Sequence, residues 1–357
     1  MLSVWIDILT PKQVLFFFRL INELKKDGVP VLVTTRRYRE ANELMKIKGV
    51  RGLVVGRHGG RTLLGKLLAS AQRVEKLARL VSKRDIKVAV SFCSPEAARV
   101  AFGLAIPHIA ICDAPHSTAV GLLTIPLSAV LVTPSFIPLD EWIKLGAVKD
   151  KIVTYRAIDP VAWLKEFSPN ERVLKELHLS RSDKIVVART LEVQASYALN
   201  FGEDEFSPIE KVVNAILDLD EEARIVVLQR YGRRSKKPRG NRRIIIPKRA
   251  VDGASLLYYS ILFVGAGGTM TWEAALLGIP AISLHPRVPS VEVPLIQKGL
   301  LYHPRTDEEA IQIAAQILNK PSYYLRQHRK KAEKVMEEME DPIKVIKEVV
   351  YDFLNEN

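Results

Sequence analysis

The sequence of 357 residues has only two cysteines, Cys93 and Cys112, and both stand in apolar runs. Two thiols of this kind in a chain of this length exclude a disulfide framework and favour a reducing compartment. Cysteines and histidines with the spacing of a zinc site are also missing. The sequence therefore predicts no metal site.

Long uninterrupted hydrophobic runs are absent as well. The most apolar stretch, 119–139, is broken by Pro126, Pro134 and Pro138, so we do not expect a transmembrane helix. The N-terminal residues lack a basic segment and a cleavage site, and they predict a first strand, not a signal peptide. These absences predict a cytoplasmic protein, with peripheral contact at the inner membrane face as a further option.

Acidic residues are absent from the segment Arg230–Arg249, which carries ten of the basic side chains behind the net charge of +13. The rest of the chain has a net charge of only about +3. Such a segment suits phosphate groups, anionic lipid or nucleic acid, and a solvated basic loop is an equally valid interpretation. Tyr231 is its only aromatic residue, which argues against a nucleic-acid partner.

What the sequence does contain is a repeated alternation of short β-rich runs with stretches of helical periodicity. The predicted strands are 3–8, 30–35, 52–56, 87–92, 108–112 and 129–133, then 184–188, 224–229, 243–247, 260–265 and 280–284. Continuous apolar runs indicate strands that are covered on both faces. We therefore expect an α/β protein with two parallel, doubly wound sheets.

The predicted domains are 1–160, on the acceptor side, and 161–322, on the nucleotide side. A helical segment, 323–357, follows, and one option is that it crosses back onto the first domain. Ligands of open α/β sheets bind at the carboxyl ends of the strands, so the loops after the strands are the place to seek a site.

The strongest motif is the glycine-rich turn Gly265–Gly268, which follows a buried strand. A helix beginning near Thr269 would direct its free N–H groups at an anion such as a phosphate. Glu273, in the first turns of that helix, could accept hydrogen bonds from a ribose. A tight turn without a ligand, with an acid that complements the helix dipole, is the simpler alternative.

This turn, followed by Glu273-Ala-Ala and Leu277-Gly-Ile-Pro-Ala, resembles the C-terminal domain of GT-B glycosyltransferases, MurG-type enzymes and UDP-N-acetylglucosamine 2-epimerases. The resemblance implies two facing Rossmann-like domains. It also implies that Gly267, Gly268 and Thr269 contact a diphosphate and that Glu273 contacts the ribose.

The chain also resembles the domain-of-unknown-function 354 family over nearly its whole length. The resemblance rests on Val4–Ile8, Thr10–Val14, Arg57–Gly60, Cys112–His116, Thr133-Pro134 and Arg189. Many members carry Asn-Pro-x-His where this chain has Thr10-Pro11-Lys12-Gln13, so the loop lacks their histidine.

Several polar residues follow predicted strands of the first half. Asp113 and His116 could form a general-base pair, and the alternative is a loop cap beside a solvated histidine. Asp7 is a further catalytic candidate, and the alternative is that it caps a turn. Lys12, Gln13 and His58 are candidates for contact with an acceptor.

Two more charged features keep alternatives open. Arg189 ends a strand, where its guanidinium could bind a diphosphate or form a surface ion pair. The stretch Arg61–Arg84 predicts a basic amphipathic helix, which could lie on an anionic membrane or be an ordinary domain helix.

Taken together, these features predict a metal-independent glycosyltransferase that takes a sugar from a nucleotide donor, most simply UDP-linked, with no cofactor. The acceptor is unidentified, and a lipid-linked acceptor is one option. The alternatives are a nucleotide-sugar 2-epimerase or hydrolase of the same fold, and a non-catalytic protein that binds nucleic acid or anionic lipid.

Overall fold

The computed structural model describes residues 3–60, 62–190, 207–229 and 241–355. It divides the chain into two compact units. The first unit comprises Met1–Trp163 with Glu340–Asn357, and the second comprises Leu164–Met339. Most of the basic segment Arg230–Arg249, from 230 to 240, lies outside the described residues.

The first unit is built on a parallel sheet of seven strands in the order β3-β2-β1-β4-β5-β6-β7. The strands are β1 (Ser3–Ile8), β2 (Val31–Arg37), β3 (Leu53–Arg57), β4 (Ile86–Ser91), β5 (His108–Ile111), β6 (Val130–Pro134) and β7 (Ile152–Tyr155). The chain order reverses between β1 and β4, which is the switch point of a doubly wound sheet. The sequence did not predict β7, because this edge strand is short and only half buried.

Helices follow most strands of this unit. They are α1 (Pro11–Lys26), α2 (Arg39–Ile47), α3 (Leu63–Val81), α4 (Pro95–Gly103), α5 (Thr118–Leu122), α6 (Leu139–Ile143) and α7 (Val161–Leu164). Helix α1 has a proline in its first turn, where no N–H partner is needed, and lysines in its last turn, where positive charge is favoured. Gly28, with a φ of 78° in the left-handed region, ends the helix.

The second unit repeats the arrangement with six parallel strands in the order β10-β9-β8-β11-β12-β13. They are β8 (Lys184–Arg189), β9 (Ala223–Leu228), β10 (Ile244–Ile245), β11 (Leu262–Gly265), β12 (Ala281–Ser283) and β13 (Leu301–Tyr302). The helices before the C-terminal segment are α8 (Arg172–Glu176), α9 (Ser207–Leu219), α10 (Gly253–Tyr258), α11 (Thr269–Leu276), α12 (Val293–Gln297) and α13 (Asp307–Asn319). The switch point here lies between β8 and β11.

The C-terminal segment consists of α14 (Pro321–Glu338) and α15 (Pro342–Asn355). The first of these helices belongs to the second unit, and α15 belongs to the first, where it packs on α1 and β4. Arg19 of α1 fixes its start through a buried pair with Asp341, whose Oδ2 lies 2.9 Å from the Arg19 Nη2. The second boundary between the two units, at Met339 and Glu340, therefore falls inside the predicted helical segment 323–357. Across the described residues, no helix is both long and apolar enough to span a membrane.

Candidate functional site

The glycine-rich turn lies at the switch point of the second sheet. Gly265, the last residue of β11, is in register with Arg189 at the end of β8 and with Ser283 at the end of β12. The structure thus brings two predicted site residues, Gly265 and Arg189, to neighbouring strand ends. The Arg189 side chain is half-buried there. This edge is where open α/β sheets bind their ligands.

The backbone of the turn requires glycine at successive positions. A Cβ on Gly265 would lie 2.6 Å from the Phe263 ring, and one on Gly267 would lie 2.8 Å from the His285 ring. Gly267 and Gly268 have φ angles of 87° and 93°. With a ψ of −174°, Gly268 adopts a conformation that is almost confined to glycine. The turn is therefore defined by backbone geometry and not by side-chain contacts.

Helix α11 begins directly after this turn. Its N-cap residue is Gly268, which offers no side-chain cap, and a Cβ there would meet no atom within 4 Å. The first N–H groups of the helix therefore point out of an uncapped end, beginning at Thr269, and the helix dipole favours negative charge there. One turn further along, Glu273 is buried, with 3% of its surface exposed.

His285 lies beside this turn, and the sequence did not reveal it as a site residue. It follows β12, and its ring packs against Gly267, while its Nδ1 lies 2.5 Å from the Arg287 carbonyl oxygen. The available signal was its position after a strand next to β11. An imidazole at this place adds a hydrogen-bonding group beside the backbone amides of the turn.

In the first unit, the structure joins Lys12 to two acidic side chains. The Lys12 Nζ lies 2.5 Å from Oδ2 of Asp113 and 2.5 Å from Oδ2 of Asp159. It also lies 4.4 Å from the centroid of the Phe92 ring. The side chains of Lys12 and Asp113 are 17% and 6% exposed, whereas Asp159 is fully buried. Lys12 thus holds two carboxylates that follow different strands.

Asp159 is the second residue that the sequence analysis missed. The Tyr155 hydroxyl donates a 2.6 Å hydrogen bond to it. Burial and the negative charge of Asp113 raise the pKa of Asp159 to about 7, although Lys12 and Tyr155 act in the opposite direction. Burial lowers the pKa of Lys12, but the two carboxylates outweigh this effect and raise it. The cluster therefore combines a persistent cation with a carboxyl group that titrates near neutrality.

The other candidates of the first unit have distinct surroundings. Gln13 is buried, and its amide accepts from the Leu9 N–H at 2.6 Å and donates to the Phe92 carbonyl at 3.2 Å. These two hydrogen bonds connect the loop before α1 to the residue that follows β4. His116 is exposed. Burial, with the positive charges of Arg36 and Lys66, lowers the pKa of His58 to about 4, so its ring is neutral at pH 7.

Asp7 lies at the end of β1 and is fully buried. Arg73 of α3 binds it with both terminal nitrogens, and Thr34 and Ser94 donate further hydrogen bonds to it. Burial raises the pKa of Asp7, but these partners outweigh burial and lower it overall. Arg73 belongs to the stretch Arg61–Arg84 that was predicted as a basic amphipathic helix, and the structure buries its side chain.

Among the described residues, no group of three or more histidine, cysteine, aspartate and glutamate side chains is placed to hold a metal ion. Cys93 and Cys112 are both buried, as their apolar context predicted.

Comparison with known sequences places the whole chain in one family. The family model described as "Protein of unknown function (DUF354)" matches residues 2–355. An uncharacterized protein of Methanocaldococcus jannaschii, MJ0665, is 32% identical over 370 aligned residues, which cover 99% of each chain.

Comparison with solved structures identifies the fold. The UDP-GlcNAc 2-epimerase of Neisseria meningitidis, bound to UDP-GlcNAc, gives a TM-score of 0.75 at 14% identity over 100% of both chains. The UDP-GlcNAc 2-epimerase of M. jannaschii gives 0.67 at 17% identity, over 90% of this chain and 93% of that one. The spinosyn forosaminyltransferase SpnP gives 0.64 at 15% identity over 99% of both. The predicted GT-B type of α/β fold is therefore confirmed.

Proposed function

The chain belongs to the DUF354 family, and from this premise and the site geometry we propose that it binds a nucleoside diphosphate sugar in its second unit and transfers the sugar. The observation that carries the proposal is the uncapped start of α11, presented by the Gly265–Gly268 turn at the switch point between β8 and β11. Backbone amides of this kind bind diphosphates without any cation.

The proposed contacts follow from position. The diphosphate accepts hydrogen bonds from the amides of Gly267, Gly268 and Thr269, and Arg189 on the neighbouring strand end neutralises its charge. His285 adds a hydrogen-bonding group beside the same turn. Glu273 is assigned to the ribose hydroxyls, and its buried carboxylate would strengthen such hydrogen bonds.

The chemical step is assigned to the cluster of the first unit. Asp113 takes the proton of the acceptor hydroxyl as its oxygen bonds to the anomeric carbon. The bond from that carbon to the diphosphate breaks, and the diphosphate leaves with the electron pair. Lys12 holds the Asp113 carboxylate in place through the 2.5 Å contact, and Asp159, on the same lysine, is a positioning residue.

Binding is tested by thermal shift with UDP, UDP-GlcNAc and the corresponding adenine, guanine and cytosine nucleotides. We expect a uridine nucleotide to raise the melting temperature of the wild type. The substitution Glu273→Gln should weaken this binding by about tenfold or more, because it removes charge-assisted hydrogen bonds. Glu308→Gln, at a surface carboxylate of α13, is the matched control. If no nucleotide stabilises the protein, the binding proposal is wrong.

The reaction is tested separately from binding. Asp113→Asn should keep the nucleotide-induced thermal shift and lose turnover, measured as UDP release from UDP-GlcNAc with an extract of candidate acceptors. Conversion of UDP-GlcNAc to its 2-epimer without an acceptor would instead establish the epimerase alternative. Tight, salt-sensitive RNA binding without nucleotide affinity would establish the non-catalytic one.

A further inference from the structure

An exposed row of leucines runs along the start of α3 in the first unit. Leu63, Leu64, Leu67 and Leu68 are 73%, 65%, 67% and 53% exposed. Residues four positions apart are neighbours on a helix surface, so Leu63 lies beside Leu67 and Leu64 beside Leu68. The four side chains together are here called the leucine ridge. A soluble domain does not gain stability from such a strip, and strips of this kind mark contact with another surface.

Two further exposed apolar side chains lie on the strand that packs against α3. Leu53 and Val54 of β3 are 44% and 55% exposed, and β3 is the edge strand of its sheet. Of the seventeen strongly exposed large hydrophobic side chains among the described residues, seven lie within 44–74. Because this stretch is a small part of the chain, exposed apolar side chains are concentrated in it.

The backbone holds the leucine ridge in a fixed position. A Cβ on Gly59 would lie 2.4 Å from the Lys66 Cα, and one on Gly65 would lie 2.5 Å from the Gly59 carbonyl oxygen. The loop before α3 therefore packs directly against its first turns. Thr62 caps the helix by accepting the Gly65 N–H at 3.0 Å. The leucines thus project from a capped and closely packed helix end.

The charge around the ridge has one sign. Residues 44–74 contain no acidic residue. They contain seven basic residues: Lys46, Lys48, Arg51, Arg57, Arg61, Lys66 and Arg73. Arg73 is neutralised internally by Asp7, whereas Arg51 and Arg57 are exposed.

We propose that the leucine ridge docks on the surface of an anionic phospholipid bilayer. The leucines enter the boundary between headgroups and acyl chains, and the surrounding cations pair with lipid phosphates. A second copy of the chain is the competing occupant of an apolar face. A two-fold contact would place this basic stretch against itself, so that like charges face each other. Charge complementarity therefore selects the anionic lipid surface.

The test is co-sedimentation of the full-length protein with vesicles of phosphatidylcholine, with and without about a third of phosphatidylglycerol. We expect binding to the anionic vesicles alone, and a loss of binding as NaCl is raised from about 0.05 to 0.5 M. Leu67→Ser with Leu68→Ser should lower the partition coefficient by about tenfold or more, because two apolar side chains are lost from the contact.

A matched control comes from another adjacent pair of exposed leucines. Leu122 and Leu123 are 51% and 59% exposed and lie outside the patch. Leu122→Ser with Leu123→Ser should leave vesicle binding unchanged. In a separate variant, Leu64→Trp, an emission shift to shorter wavelength with anionic vesicles alone would show insertion.

Three outcomes would overturn the proposal. The first is equal binding to neutral vesicles or none to anionic ones. The second is equal loss in the two double variants. The third is a concentration-dependent dimer, seen by sedimentation velocity, that the Leu67/Leu68 variant abolishes while vesicle binding is absent. The nucleotide test is independent, because the proposed nucleotide site lies in the second unit.

Discussion

Arg73 and Asp7 form a buried bidentate pair at the end of β1. The Nη2–Oδ1 and Nη1–Oδ2 distances are 2.6 and 3.0 Å, and both side chains are 1% exposed. The Arg73 Nε also donates to the Val55 carbonyl at 2.9 Å, so one guanidinium ties α3 to two strands of its sheet. These contacts favour a role for Asp7 in holding the first sheet together.

Loss of this guanidinium should cost stability. We expect Arg73→Met to lower the free energy of unfolding by about 3–5 kcal/mol, because it leaves a buried carboxylate without its partner. Arg79→Met on the same helix is the control, since Arg79 is 77% exposed and its pair with Glu75 is solvated. The two variants are compared by urea titration followed by circular dichroism. Equal losses in the free energy of unfolding would show that the buried pair contributes no more to stability than the solvated pair.

The titration of Asp159 should make stability depend on pH. Its pKa is raised from 3.8 to about 7, first by burial, so between these values the folded state binds more protons than the unfolded state. Its contribution is therefore complete below about pH 4 and is lost as the pH rises through about 7. We expect the wild type to lose stability relative to Asp159→Asn between about pH 4 and pH 7.

This pH dependence is measured as the difference in free energy of unfolding between the two proteins in urea. All other titrating groups are common to both chains and cancel to first order. A difference that stays constant with pH would show that Asp159 is ionised throughout.

The glycine turn should respond differently at its two ends. Gly268→Ala meets no neighbouring atom, so its expected cost is backbone strain alone, about 1–3 kcal/mol. Gly265→Ala should cost more, since its Cβ would collide with the Phe263 ring within the buried strand β11.

Gly103→Ala, at the end of α4, is the control for both variants, because its Cβ approaches only the flexible tip of Arg99. Urea unfolding of the three variants gives the order of their stabilities. If Gly265→Ala were the least destabilising of the three variants, the close packing of Gly265 against the Phe263 ring would be wrong.

Residue patterns predicted much of the fold, because strand and helix signals are local. Continuous apolar runs located eleven of the strands, and they failed at β7 and β13, which are short edge strands with few buried residues. The glycine turn was visible because positive φ angles leave a direct mark on composition. Asp159 was missed, since no local pattern separates a cluster member from any other loop acid.

The sequence by itself determined where most of the strands lie, the parallel α/β class, the glycine turn and the burial of the two cysteines, since each depends on neighbouring residues and on local backbone geometry. Tertiary structure alone decided that Lys12 meets Asp113, 101 positions away, and that Asp159 joins them. It also decided that Arg73 is buried while Leu63 and Leu67 face solvent. The reason is that strand order, which brings distant strand ends to one edge of a sheet, and the choice of buried helix face depend on the packing of the whole unit.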